Sequence, residues 1–338
     1  MMVRNRTRLQ DLAKLAGVST ATISRALNDN PNVNQETKRR IWRLAQEQNY
    51  SFRPSMPAIL SGAGAKIVIV IPMQTGRDAK TSDPFYLELI GGVAEAAREI
   101  KCDIAISHLA PQNYEDLSGL VATNRADGII FLGQSFLHDR FNRLAAEEGR
   151  FIVWGAELPG QQYCSIGSDN VRGGAKATSH LVRLGRKRIA FLGDQEGPEI
   201  YQRFQGYLQA LEAAKIPFDD ALVSPAHFEL ESAEAAVDAM LARRIDVDGI
   251  FAASDLIAVG AIRAIKRSGR RVPQDVSVVG YDNIKLARYN SPPLTTISQD
   301  MAKAGRLMVS KLLNASDVAA IHSERLPTEL IVRESCGL

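Results

Sequence analysis

"GVSTATISRALND" (residues 17–29) is a helix-forming run with unusually short side chains. Thr20, Ala21, Thr22 and Ser24 crowd its first turns, and only Val18, Ile23 and Leu27 are sizeable and apolar. In a chain that is 45% hydrophobic, so small a surface asks for a reason. Upstream, "TRLQDLAKLAG" places Leu9, Leu12, Ala13, Leu15 and Ala16 at helical spacing and ends on Gly17, a helix stop. Ser19 is a good N-cap for the helix that follows. Its Ile23, Ala26 and Leu27 face inward, while Thr20, Ala21, Ser24, Arg25 and Asn28 fall on one exposed stripe. A third helix is expected from near Asn34 to about Asn49, burying Ile41, Leu44 and Ala45. Two short helices around a glycine-containing turn form a helix-turn-helix. A helix entering the major groove must come within hydrogen-bonding reach of base edges, and bulky side chains would hold it off.

The charge distribution agrees with that reading. The 338-residue chain carries a net charge of +3, yet residues 1–54 hold ten Lys/Arg against four Asp/Glu. A basic head on a mildly acidic body points to a polyanion as the partner of the head alone. The length calls for two or three domains. No apolar run approaches the ~20 residues of a membrane span, and the N-terminus lacks the apolar stretch of a secretory signal. Cys102, Cys164 and Cys336 are scattered without metal-ligand spacing and read as buried thiols in a reducing cytoplasm.

After Tyr50, "SFRPSMPAILSGAGAK" reads as a linker in which "PAILSG" has the makings of one helical turn. "GAGAK" lacks the ending of a phosphate loop and precedes a strand rather than a helix. From Lys66 onward, strand-length apolar runs such as "KIVIVI", "DGIIFLG", "RFIVWG", "KRIAFLGD", "DGIFAAS" and "DVSVVGYD" alternate with amphipathic helices. That alternation predicts parallel sheets covered on both faces, with more units than one open sheet needs, hence two stacked α/β lobes. Ligands of such sheets sit outside the carboxyl ends of the strands. Polar and aromatic residues gather there: "TSDPFY", Gln134, Trp154, Asp194, Ser254, Asp255, Tyr281 and Asp282. Polar acceptors beside aromatic rings suit a sugar, although any one strand-end Asp serves equally well as the cap of the next helix. No nucleophile motif, metal-ligand pair or dinucleotide fingerprint is present, so neither catalysis, a metal nor a cofactor is expected.

The stretches "TRLQDLAKLAGVSTATISRALND", "DPFYLELIGGVAEAA", "IGSDNVRGG", "HLVRLGRKRIAFLGD", "RFQGY", "ASDLIAVGAIRAI" and "VSVVGYDNIKLARYNSPPLTTISQD" together resemble the LacI/GalR family of bacterial transcription regulators over nearly the whole chain. The resemblance implies a head at residues 1–50, a hinge at 51–65 and a periplasmic-binding-protein-like body at 66–338. It places lobe 1 at about 66–165 and 295–326 and lobe 2 at about 166–294 and 327–338, with crossovers near 164–168, 292–296 and 325–329. It implies a homodimer on a near-palindromic operator. Base reading would fall to Thr20, Ala21 and Arg25, and phosphate contacts to Ser19, Thr22, Ser24, Asn28 and Asn34.

For the effector, the resemblance carries over Asp83, Phe85, Arg203, Ser254, Asp255, Asp282 and Gln299, with Trp154 and Phe228 as stacking residues beside the strand-end Gln134. The hinge departs from the family's pattern. Pro54 lies two residues late, Ser55 stands where an Asn is usual, and the minor-groove wedge falls on Leu60 or Ile59. No leucine heptad follows "TELIVRESCGL", so a tetramer built on one is not expected. The expected function is a cytoplasmic repressor of carbohydrate-utilisation genes, tuned by a sugar and not bound to a membrane. The competing readings are a sugar-binding transport protein and a sugar-active enzyme.

Overall fold

A computed structural model describes residues 9–27, 33–34, 37–38, 40–41, 44, 64–72, 82–123, 126–134, 136–147, 150–314 and 322–337. Asn28, the expected helix end near Asn49, and the hinge with Ile59 and Leu60 lie outside the described residues, as do the side chains of Ser24, Arg25 and Leu27.

In the head, α1 (Leu9–Ala16) and α2 (Thr20–Leu27) are joined through Gly17, whose φ of +64° is a left-handed conformation that glycine adopts freely. Ser19 Oγ accepts a hydrogen bond from the Thr22 amide at 3.1 Å, the cap that its sequence position predicts. Thr37, Lys38, Arg40, Ile41 and Leu44 are helical, and Asn34 Oδ1 caps this third helix by accepting from the Thr37 amide at 2.7 Å. Leu12, Ala13, Ala16, Ile23, Ala26 and Ile41 form the buried core, with Val18, Val33 and Leu44 packed against it. Arg40 Nη2 donates to the Ala16 carbonyl at 3.1 Å and so satisfies one of the acceptors left open at the end of α1.

The body contains two six-stranded sheets. The first runs β11-β5-β4-β3-β1-β2, with β1 (Lys66–Val70), β2 (Asp103–Ile106), β3 (Gly128–Leu132), β4 (Phe151–Trp154), β5 (Ser165–Ser168) and β11 (Glu324–Leu326), all parallel. The second runs β12-β10-β9-β8-β6-β7, with β6 (Ile189–Leu192), β7 (Val223–Ser224), β8 (Gly249–Ala252), β9 (Ser277–Asp282), β10 (Thr295–Ser298) and β12 (Glu329–Ile331), where only the β10–β12 pair is antiparallel. Every residue of β3, β4, β6, β8 and β9 is buried, as continuous apolar strands covered on both faces must be. The first sheet is flanked by α3 (Pro84–Glu99), α4 (Tyr114–Thr123), α5 (His138–Glu147) and α11 (Met301–Asn314), with α3 and α11 packed together. The second has α6 (Asn170–Arg183) against α7 (Pro198–Ala213), α8 (Leu230–Ala242) against α9 (Asp255–Arg267), and the short α10 (Lys285–Tyr289).

The chain crosses between the sheets three times, and two crossings fall later than expected. β5 pairs with β4 and β11, so the first crossing follows Ser168 rather than lying at 164–168. β10 pairs with β9 and β12, so Thr295–Ser298 belong to the second sheet and the crossing follows Ser298, not 292–296. The hydroxyls of this strand's threonines have partners inside: Thr296 Oγ1 donates to Asp255 Oδ1 at 2.5 Å and Thr295 Oγ1 to the Arg333 carbonyl at 2.9 Å. The third crossing lies between Leu326 and Glu329, within the expected 325–329. Among the described residues, no helix is long and apolar enough to cross a membrane.

Candidate functional site

The body holds a cavity of about 160 Å³ at the carboxyl ends of strands from both sheets. Its two walls differ in kind. The first lobe supplies Pro72, Phe85, Tyr86, Leu132, Phe136 and Trp154, with Gln134 and the single carboxyl group of Asp83. The second supplies Asp194, Glu196, Glu199, Asp282, Arg203 and His227, with Phe228 and Ser254. Phe85 lies at the start of α3, its ring centroid 6.2 Å from that of Trp154 at the end of β4. Asp83 Oδ1 accepts from the Phe85 amide at 2.8 Å, which fixes the carboxyl at the start of that helix.

Arg203 is placed by close helix packing. A Cβ on Gly174 of α6 would collide with the Arg203 carbonyl of α7, and one on Gly206 with the Val171 carbonyl, so only glycine lets these two helices touch. The Arg203 guanidinium lies 3.7 Å above the Tyr281 ring. Its Nε donates to Asn170 Oδ1 at 2.9 Å and its Nη1 to the Ala253 carbonyl at 2.5 Å, and Nη1 sits 3.7 Å from Asp282 Oδ1. Opposite it, Asp282 has φ of +113°, a backbone conformation costing about 1–3 kcal/mol for a residue with a side chain. Gln299 Nε2 donates to Asp282 Oδ1 at 2.7 Å, and Ser168 Oγ donates to Gln299 Oε1 at 2.5 Å, so the crossing segment orients this carboxyl.

Burial raises three acids of the cavity, Asp83, Glu199 and Asp282, above the ordinary carboxylate range. For Asp282, desolvation outweighs the nearby Arg203 and pushes the carboxyl up to about 7, with the charge of Asp83 adding to the rise. Asp83 and Glu199 shift the same way, chiefly by desolvation. His227 Nδ1 lies 3.2 Å from Asp194 Oδ2.

Of the ten effector positions carried over or read at strand ends, Asp83, Phe85, Gln134, Trp154, Arg203, Phe228, Ser254 and Asp282 line the cavity. Asp255 and Gln299 do not. Asp255 is fully buried beneath the wall, its Oδ1 bonded by Thr296 and its Oδ2 by the Ile284 amide at 2.9 Å. Gln299 reaches the cavity only through Asp282. Two lining residues are also committed elsewhere: Ser254 Oγ caps α9 by accepting from the Ile257 amide at 3.2 Å, and Gln134 Nε2 donates to the Ala156 carbonyl and to Tyr163 Oη. Glu196, Glu199, His227 and Phe136 were not anticipated as wall residues. The signal for the first two was the acidic turn "GDQEGPE" after β6, whose Asp194 alone was singled out.

On the head, Ser19, Thr20, Ala21 and Asn34 are exposed and Thr22 is half-buried. Ser19 and Asn34 are helix caps, and Ser19 Oγ also lies 2.9 Å from Thr22 Oγ1. Arg25 lies on α2.

Comparison with known proteins adds the context of a lineage. Residues 8–52 match the profile of bacterial regulatory proteins of the lacI family, and residues 178–336 that of periplasmic binding protein-like domains. The HTH-type transcriptional regulator CelR of Thermobifida fusca is 33% identical, over 98% of this chain and 99% of its own. The HTH-type transcriptional repressor CytR of Escherichia coli K12 is 31% identical, over 97% of this chain and 95% of its own. Among solved structures, a CelR–cellobiose complex superposes with a TM-score of 0.70 at 31% identity, covering 98% of this chain and 100% of that one. The lac repressor dimer bound to operator and the anti-inducer ONPF gives 0.71 at 25% identity, covering 98% and 99%.

Proposed function

The chain belongs to the lacI family of bacterial regulatory proteins, and from that premise we propose that a sugar held between its two lobes sets how tightly its head grips operator DNA. It is a DNA-binding transcriptional regulator, not an enzyme. The transport reading falls, because the DNA-binding profile covers residues 8–52 and regulators align over 98% of the chain. As in the lac repressor, the working unit is a dimer on DNA, here read as sitting on a near-palindromic operator in the cytoplasm.

The observation that carries the sugar is the pairing of an aromatic wall with a hydroxyl-binding one. A pyranose ring has an apolar C–H face for Phe85 and Trp154 and a rim of hydroxyls for Asp282 and Arg203. The fixed fork of a guanidinium bridges adjacent hydroxyls, which a lysine does not do. The cellobiose bound by CelR fits the same description, and a β-linked glucose disaccharide is the first candidate. On the head, Thr20, Ala21 and Arg25 are assigned to base edges, and Ser19, Thr22, Ser24, Asn28 and Asn34 to phosphates. The residues at 1–50 then form the reading domain, 51–65 the hinge, with Leu60 or Ile59 as wedge, and 66–338 the sensor.

A ligand touching both walls favours the arrangement that holds them at its own spacing. It changes DNA affinity only by its differential affinity for the DNA-competent state. A coupling of ~1–3 kcal/mol gives several-fold to over a hundred-fold. The test is duplex binding by the full-length protein, with operator sequences selected from random DNA, measured with and without each member of a mono- and disaccharide panel. Operator affinity should fall steeply with salt and shift with at least one sugar. Indifference of operator binding to every sugar, with no sugar raising the melting temperature, overturns the proposal.

A further inference from the structure

The charges lining the cavity define its ligand more narrowly than "sugar". Among the described residues, five carboxyl groups, those of Asp83, Asp194, Glu196, Glu199 and Asp282, face one guanidinium and one imidazole. Both basic groups are already engaged, Arg203 by Asn170, the Ala253 carbonyl and Asp282, and His227 by Asp194. Asp83, Glu196 and Glu199 have no ion-pair partner among the described residues within 4.0 Å. An ionised carboxylate only accepts hydrogen bonds, so wherever this wall is charged it asks its ligand for donors.

One feature would ordinarily favour an anion. The 16-residue α7 begins at the cavity with Gly197 at its cap and no side-chain cap bond, and the free amides of a helix start attract negative charge. That place is taken from within. The backbone groups of Glu199 itself and of Ala156 favour the charged form of the Glu199 carboxyl, which sits at the second position of this helix where a phosphate or carboxylate ligand would bind.

We infer that the cavity selects an uncharged, hydroxyl-rich sugar and rejects its anionic derivatives, with Glu199 and Asp83 as the residues that repel them. This rests on the sugar reading above. A uronate, aldonate or sugar phosphate brings a negative charge among these carboxyls, of which Asp282 is buried and Asp83, Asp194 and Glu199 are half-buried. At separations of several ångströms, such repulsion weakens binding on the order of tenfold or more.

The experiment compares matched pairs on the full-length protein by thermal shift and calorimetry: cellobiose with cellobionate, glucose with glucuronate, and ribose with ribose 5-phosphate. The neutral member of at least one pair should bind, and its anionic partner at least tenfold more weakly. Glu199→Gln should narrow that gap by accepting the anion at the start of α7, and Asp83→Asn offers an independent variant should the first fail to fold. An anionic member binding as well as its neutral partner overturns the charge inference and leaves the sugar reading standing. Binding of neither member of any pair overturns both. A gap unaltered in both folded variants removes Glu199 and Asp83 as its cause and overturns that assignment.

Discussion

The two walls of the cavity respond to different physics. The first-lobe wall is built from rings and aliphatic groups around Phe85 and Trp154, whose contacts with a ligand do not titrate and are buried by the same force that builds the core. The second-lobe wall gathers Asp194, Glu196, Glu199, Asp282 and Arg203, groups that folding would rather leave in water. One wall stabilises the protein whether or not a ligand is present. The other is held in a costly state, with strained backbone at Asp282 and raised carboxyls, and a ligand relieves it by supplying donors.

The largest effect should therefore be the pH dependence that Asp282 contributes. Asp282 ordinarily titrates near 3.8 and in the fold near 7. Between those values, the native state holds a proton that the unfolded chain has released, so stability falls as pH rises through the window and levels off above it. A shift of that size corresponds to about 4 kcal/mol across the window, as an order of magnitude. Asp282→Asn removes this contribution. In urea titrations of the ligand-free protein at pH 5 and pH 8, the variant should lose less stability than the parent over that interval. Identical pH slopes would show that Asp282 is not held neutral by the fold. A ring substitution such as Phe85→Leu should leave the slope unchanged.

Arg203→Lys comes next. It keeps the charge near Asp282 but loses the fork that holds Asn170 and the Ala253 carbonyl and meets a diol. Sugar affinity should fall by about 2–3 kcal/mol, the range of charge-assisted hydrogen bonds, while operator binding without sugar stays near the parent value. Loss of DNA binding with an intact sugar response would place the sensing site elsewhere. Phe85→Leu should cost about 1 kcal/mol of sugar affinity by removing the ring while keeping apolar volume. Its effect should be the same at pH 5 and pH 8, in contrast to the acidic wall.

The unequal physics of the walls also explains what the sequence made legible. Apolar runs such as "GIIFL" and "FIVW" announce a parallel sheet because they are of strand length and alternate with amphipathic helices that cover both faces. Ser19 was readable as a cap because the N-cap rule is local, and the bond to Thr22 is where that rule puts it. Carboxyls are harder, since the same residue type caps helices, lines cavities or sits beneath them. Asp255 follows Ser254 in sequence as closely as two residues can, yet Ser254 reaches the cavity and Asp255 turns inward to Thr296 and the Ile284 amide. That outcome is decided by β10, which pairs with β9 in the second sheet where a crossover was expected near 292–296. Gln299 is a similar case: its position beside the site was legible, but its role of orienting Asp282 depends on a contact with Ser168, 131 residues away.

The smallest expected effect tests whether the walls act through their spacing. Among the described residues, hydrogen bonds also join the lobes away from both the lining and the crossing segments. Glu88 Oε1 on α3 accepts from the Lys285 amide at 2.6 Å, and Gln202 Nε2 on α7 donates to the Glu157 carbonyl at 3.1 Å. Neither Glu88 nor Gln202 lines the cavity, so their removal alters how firmly the walls are held together and not what they present. Each bond between partly exposed groups contributes about 0.5–1.5 kcal/mol. Glu88→Ala should therefore weaken every bound sugar a few-fold and by the same factor, leaving the ranking of sugars and the preference for neutral ligands untouched. If the variant instead reorders the panel, then closing the lobes reshapes the walls, and the contrast between them is not a fixed property of each lobe.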